Sequence, residues 1–239
     1  TREAQDAYAA RSHQRAAAAT ADGHLARQIS PSFVPPGGTA VREDNGIRGD
    51  STVESLAKLR PAFDRKFGTI TAGNSSYLTD GGAAVLLASE EAAKKLGLEP
   101  IATLRSAAVA ALDPLEELLL GPALTLPRAL DAAGLELPDV EVVELHEAFA
   151  AQVLAVIDLL EDPEWCSERL GRDEPVGSID PDRLNTWGGS LSVGHPFGAT
   201  GARLITNCCQ RMVAEEAKHG VVAACAAGAI GIGLVLERA

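Results

Sequence analysis

The sequence predicts an α/β fold built on a parallel or mixed sheet covered by helices. Three observations carry that reading. Short apolar runs alternate with helix-like segments along most of the chain. Those runs are apolar throughout rather than at every second position, so both faces of the sheet need cover. Aromatic residues make up only 4% of the chain, which leaves Ala, Val, Leu and Gly to fill a closely packed core.

Residues 1 to about 28 read as a helix, because the stretch is Ala-rich and places Glu3 and Asp6 near its N-terminal end, where carboxylates are favoured. Ser30 to Asn45 holds Pro31, Pro35, Pro36, Gly37 and Gly38 and reads as loop. Leu56 to Phe63 is short and amphipathic. Thr69 to Gly82, TITAGNSSYLTDGG, is polar and rich in turn formers.

From Ala83 the character changes. Ala83 to Ala88 reads as a buried strand. Ser89 is placed to cap a helix over Glu90–Leu96, and Gly97 to end it. Ile101 to Leu112 reads as strand, Thr125 to Ala133 as a helix closed by Gly134, and Val140 to Leu145 as strand. His146, Glu147 and an apolar helix over Ala148–Leu160 follow at once. Glu161 to Arg183 is a polar excursion. A Gly-rich turn over Gly188–Gly201 leads into a helix to about Glu216, and the chain closes with a hairpin of Val221–Ala226 and Ile230–Glu237. A boundary near Gly73 divides a loop-rich N-terminal piece, 1–73, from a compact α/β core, 74–239.

Composition excludes some classes of function. The net charge is −12 and no run of Lys and Arg is present, so a phosphate backbone has nothing to bind; no nucleic-acid partner is expected. Cys166, Cys208, Cys209 and Cys225 form no C-x-x-C pair, which suits neither a disulfide framework nor a metal site and points to a reducing compartment. No apolar run is long enough to span a bilayer without Gly, Pro or charged breaks. The expected location is cytoplasmic, or the mitochondrial matrix in a eukaryote. The chain opens at Thr1 without Met, and a processed or trimmed product is expected.

Three segments combine a reactive side chain with a tight backbone. In VVELHEAFAAQ, His146 and Glu147 lie where a strand gives way to a helix; they either cap that helix or face a ligand at the carboxyl end of the strand. In NTWGGSLSVGHPFGATGAR, His195 sits among glycines that let the backbone approach a ligand; the alternative is a plain strand-to-helix turn with a solvated His. No Gly-Lys-Ser/Thr follows, so a phosphate loop is excluded. In VVAACAAGAIGIG, Cys225 ends an apolar strand, either as a small buried hydrophobe or as a reactive thiol. Two His and a Cys at element ends suit thiol or carbon-acid chemistry.

In this order, HEAFAAQ, GGSLSVGHPFGATGAR and a Cys-small-Gly segment resemble the C-terminal motifs of the thiolase family. TAGNSSYLTDGGAAVLL resembles the stretch leading into that family's second core domain, and TREAQDAYAARSHQRAAAA a helix of its loop domain. The resemblance implies a thiolase-like fold: part of the CoA-binding loop domain over 1–73, then a C-terminal core domain with a mixed five-stranded sheet over 74–239. His146 in place of the Asn found in many thiolases, with the 161–183 insertion and CAAG, most resembles the β-subunits of trifunctional fatty-acid β-oxidation complexes.

The implied activity is acetyl-CoA C-acyltransfer, in which 3-ketoacyl-CoA and CoA give acetyl-CoA and a shortened acyl-CoA. By resemblance His195 activates the nucleophile, Cys225 exchanges the proton on the acetyl carbon, and His146 and the Ala227 N–H serve two oxyanion holes. Arg48, Ser55, Phe63, Ala72 and Ser76 are implied to hold CoA, which is a substrate rather than a tightly bound cofactor, and Phe149 to line the acyl pocket. Tyr77 stands where Gly is usual. The family's nucleophilic Cys and first core domain have no counterpart among these residues, so a companion N-terminal chain or fragment is expected, and this chain alone is expected to be inactive. A homo-oligomer is expected, with a hydratase/dehydrogenase subunit as a further candidate partner. The alternative is a non-catalytic CoA- or acyl-binding module or scaffold subunit.

Overall fold

The computed structural model describes all residues, 1–239. In chain order the elements are α1 (Arg2–Ala21), β1 (Ser32–Val34), β2 (Thr39–Val41), α2 (Val53–Leu56), α3 (Glu90–Leu96), β3 (Ala102–Ala111), α4 (Gly121–Ala133), β4 (Val142–Leu145), α5 (Ala150–Glu161), α6 (Pro163–Leu170), α7 (Ser190–Val193), α8 (Phe197–Ala214), β5 (His219–Ala226) and β6 (Ile230–Arg238). They divide between two compact units. The first comprises 1–80, 147–151 and 185–195; the second comprises 81–146, 152–184 and 196–239.

The first unit is organised on α1. Thr1 caps this helix by accepting from Ala4 N. The helix stops at Ala21, short of the expected residue 28, because Gly23 turns the backbone into the left-handed region (φ +77°). The face of α1 that packs inward is mixed: Gln5, Asp6, Ser12 and His13 are buried beside Tyr8, Ala9, Ala10, Ala16 and Ala19. Asp6 uses this position to accept from Asn74 Nδ2 at 2.9 Å and from Arg2 Nε at 2.7 Å. Asn74 Oδ1 in turn accepts from Thr71 N at 2.8 Å, fixing the turn-rich 69–77 segment. That segment pairs with the start of α5, with Ser76 N donating to Ala148 O and Ala150 N to Asn74 O.

Two expectations change in this unit. Residues 30–45 are not plain loop: β1 and β2 form an antiparallel hairpin with Phe33 opposite Ala40. The Pro and Gly residues that signalled irregular structure make its turn. The expected amphipathic stretch 56–63 contributes only the last residue of α2, whose start is fixed upstream by a Thr52–Ser55 capping box.

The second unit is a sheet of order β3-β6-β5-β4, in which β4 and β5 run parallel and the other pairs antiparallel. It is mixed, as expected, but has four strands rather than five. The missing one is 83–88, which belongs to neither sheet and lies exposed, Leu86 and Leu87 both by more than three quarters. An apolar run signals a need for cover, but a strand also needs an edge to pair with. The polar excursion 161–183 is not wholly irregular either, because Asp162 caps α6 over Trp165 N and Glu164 N.

The core under β5 and β6 joins Val142, Val222 and Leu236 to Leu204, Cys208 and Met212 of α8. One ion pair crosses it. Arg211 of α8 is fully buried and donates to Glu144 of β4 at 2.7 Å, to Val143 O at 3.1 Å and to Arg183 O at 3.0 Å, and it also pairs with Glu215. Burial pushes the Glu144 carboxyl up, and the guanidinium opposes that shift. β4 is therefore clamped to α8 by charge as well as by packing. On the other side, α4 meets β6 so closely that a Cβ on Gly231 would lie 2.6 Å from Gly121 Cα.

Replacing Arg211 by Met leaves Glu144 buried without its cation. Urea unfolding is expected to show a loss of about 3–5 kcal/mol. Gly231→Ala drives a methyl group into the backbone of α4 and is expected to lose about 1–3 kcal/mol in the same measurement.

Candidate functional site

In the second unit β4 carries the chain directly to His146. The His146 N–H donates to Ala223 O at 2.9 Å, extending the parallel ladder in which Leu145 faces Ala223. Cys225 lies two residues further along β5. His146 and Cys225 thus stand at the carboxyl ends of neighbouring parallel strands, where open α/β sheets gather ligands. Both are buried. Ala227 is exposed in the tight turn between β5 and β6, which Ala229 closes at φ 55°.

Burial pushes the Cys225 thiol up to about 12, opposed only by a backbone hydrogen bond. At rest this sulfur is protonated. The other cysteines read as packing. Cys166 is buried with its thiol toward Leu159 O and Leu160 O, and Cys208 is buried in the α8 core. All four are free thiols, and no group of three or more His, Cys, Asp or Glu side chains is placed to hold a metal ion.

The first unit holds His195 and the residues expected to meet CoA. Phe149 touches Phe63 edge-on, 6.4 Å between ring centroids, while most of the Phe63 surface stays open. Arg48, Ser55 and Ala72 are exposed and Ser76 is half-buried. The Arg48 backbone N–H donates to His13 Nδ1 at 3.2 Å. Burial, and then the Arg48 charge, pull the His13 imidazolium down, so the ring stays a neutral acceptor. The Ser55 hydroxyl is engaged in the α2 cap, where it donates to Thr52 O and accepts from Thr52 N. Tyr77 is drawn toward the His195 segment. Its hydroxyl donates to Ser192 O at 3.2 Å, in space that a Cβ on Gly46 would fill.

The feature that sequence reasoning underrated is Glu147. It does not cap α5. Its carboxylate is buried and collects four donors: Tyr8 OH (3.0 Å) and Asn185 Nδ2 (2.8 Å) on Oε1, Ser12 Oγ (2.8 Å) and Leu191 N (3.2 Å) on Oε2. Ser12 Oγ also accepts from Gly189 N at 3.2 Å and lies 3.1 Å from Ser192 Oγ. Gly189 passes so near the carboxylate that any side chain would collide with it. Gly194, at φ 91°, packs on Thr79 and Tyr77, and the His195 N–H donates to Tyr77 O at 3.1 Å. A Glu beside His in HEAF was the only signal in the sequence. Its partners lie 135 to 139 positions upstream and 38 to 44 downstream.

The expected residues are therefore distributed as follows: His195, Phe149 and the CoA candidates Arg48, Ser55, Phe63, Ala72 and Ser76 in the first unit, and His146, Cys225 and Ala227 in the second.

Comparison with known proteins adds independent information. Residues 98–238 match the family model of the thiolase C-terminal domain, and residues 1–91 match that of the thiolase N-terminal domain. A 3-ketoacyl-CoA thiolase of Escherichia coli O157:H7 is 51% identical over 237 residues, covering 99% of this chain and 54% of the relative. The chain thus spans about half the length of the curated relatives it matches. Among solved structures, an acetyl-CoA acetyltransferase of Bacillus anthracis superposes over the whole chain and 56% of its own (TM-score 0.86, 36% identity). A human mitochondrial 3-ketoacyl-CoA thiolase in complex with CoA does so over 55% of its own (TM-score 0.83, 33% identity). With residues 1–91 and 98–238 matched by that family's two domain models, this chain belongs to the thiolase family.

Proposed function

We propose that this chain supplies the C-terminal part of a 3-ketoacyl-CoA thiolase acting in fatty-acid β-oxidation, and that it works with an N-terminal segment carrying the nucleophilic cysteine. The observation that carries the reading is the 51% identity over 237 residues to proteins named 3-ketoacyl-CoA thiolase. The placement of His146 and Cys225 on adjacent strand ends supports it.

On this reading the N-terminal cysteine thiolate attacks the 3-keto carbon. The bond between C2 and C3 breaks, and its electron pair passes to C2 of the leaving acetyl-CoA. The Cys225 thiol gives its proton to that carbon. The shortened acyl group remains as a thioester on the nucleophile. The CoA thiol then loses its proton to the Cys225 thiolate and attacks that thioester, releasing acyl-CoA and the free nucleophile. His195 activates the nucleophile and holds the thioester oxygen. His146 and the Ala227 N–H receive oxygen charge as it develops. A thiol held at about 12 is in the protonated state that the first transfer needs. CoA lies along Arg48, Ser55, Phe63, Ala72 and Ser76, with Phe149 on the acyl path. A homo-oligomer and a hydratase/dehydrogenase partner belong to the same proposal.

The test is thiolysis of a 3-ketoacyl-CoA by the protein together with its N-terminal segment. Turnover is expected, with loss on iodoacetamide treatment and a fall of about 100-fold or more in Cys225→Ser. CoA binding without turnover would point instead to a binding module, and detection of no N-terminal companion in active material would overturn the split-enzyme reading. Cys225 also gives a pH signature. Its folded value is raised above the ordinary 9.0, so its contribution to stability is complete below that value and is lost as pH rises toward 12. Cys225→Ala is expected to lose roughly 2–3 kcal/mol less than the parent between neutral pH and about pH 11, measured by urea unfolding.

A further inference from the structure

We propose that Glu147 is a positioning residue for His195, and that its buried carboxylate fixes the Gly-rich segment 185–195 so that the imidazole is presented in one place. The catalytic weight of His195 rests on the thiolase reading above.

The segment is held at nearly every residue that can be held. Asn185 sits in the left-handed region (φ 46°) and gives its amide to Oε1. Gly188 lies against Ala16 and Ser12 of α1, and Gly189 lies against the carboxylate itself. The Leu191 N–H donates to Oε2. Ser192 Oγ donates to Gly189 O at 2.9 Å and lies beside the Ser12 hydroxyl, which also donates to Oε2. Only after these anchors does the chain reach Gly194 and His195.

Two features argue that the charge itself is used. Four neutral donors converge on two oxygens, and bonds to an ionised acceptor are roughly twice as strong as neutral ones. One donor is a backbone N–H that cannot turn to accept, so an amide in place of the carboxylate must keep its oxygen toward Leu191 and set its NH2 against the donors of Tyr8 and Asn185. A side chain needed only to fill space at this depth would be apolar, because a buried carboxylate costs desolvation. Burial beside this anion also keeps the Tyr8 phenol well above its ordinary range, so Tyr8 remains a donor.

The experiment compares Glu147→Gln, Tyr8→Phe and Ser12→Ala with the parent, in the protein assembled with its N-terminal segment. Three readouts are taken: amide exchange of peptides covering 185–195, the imidazole resonances of the five histidines, and thiolysis kinetics. Glu147→Gln is expected to speed exchange across 188–195 by about tenfold or more while β5 and β6 keep their protection. It should move the His195 resonance and leave that of His219 in place. It should lower kcat by about tenfold with KM for CoA nearly unchanged. Tyr8→Phe and Ser12→Ala should give smaller changes in the same direction. Unaltered exchange and an unmoved His195 resonance in folded Glu147→Gln would overturn the proposal. If that variant does not fold, the same null result in both hydroxyl variants would overturn it. A parent without thiolysis counts against the functional reading alone, because exchange and resonance still decide what Glu147 does.

Discussion

A carboxylate taken out of water needs hydrogen-bond donors around it, and the first unit supplies four of them to Glu147. Glu147 has no suitable neighbour in sequence. Its donors come from the first helix, from Asn185 and from the backbone of α7. Satisfying one side chain therefore brings three remote stretches of polypeptide together. This explains why α1 turns polar side chains inward among its alanines: Ser12 and Tyr8 are there to donate, and Asp6 of the same helix receives Asn74. The glycines at 189 and 194 follow from the same demand, since the backbone has to pass within reach of the carboxylate and of Tyr77.

The second unit is built the other way. Its cohesion comes from apolar burial between the sheet and its helices, with a single ion pair, Arg211 to Glu144, passing through the packed interior. Such a pair adds little net stability over an apolar substitute, but it fixes β4 against α8 in one register. Because β4 runs parallel to β5 with Leu145 level with Ala223, Cys225 emerges two residues beyond the end of β4. Packing thus sets the depth of both His146 and Cys225, whereas hydrogen bonding sets the path to His195.

Much of the second unit was legible in the sequence. The β3 run, the β4 run and the closing hairpin were located to within a residue or two, because continuous apolar stretches bounded by Gly and Pro leave few alternatives. The candidate motifs around His146, His195 and Cys225 stand out in the sequence for a different reason: they are short, local and chemically unusual. Ala83–Ala88 was misread because apolarity reports the need for burial and not the presence of a partner strand. The β1–β2 hairpin was missed because its turn residues outnumber its strand residues. Glu147 was seen but its role was not, because its meaning lies in contacts spanning more than a hundred residues, which no local pattern encodes. The same holds for His13, whose acceptor role toward the Arg48 N–H depends on a fold that brings residues 35 apart together.

The sheet of the second unit ends on β3, ten residues long and unpaired on its outer side. Val109 of β3 and Ile232 of β6 face outward beside each other in register, and the Leu86–Leu87 stretch of the same unit is open to water. A long free edge with an apolar flank is a template for another chain. A register irregularity between Leu104 and Ser106 interrupts the first half of this edge, whereas the Ala107–Ala111 half carries neither proline nor lysine. In a concentrated solution of this polypeptide alone, pairing between two such edges is the expected route of loss, one that folding stability by itself does not govern.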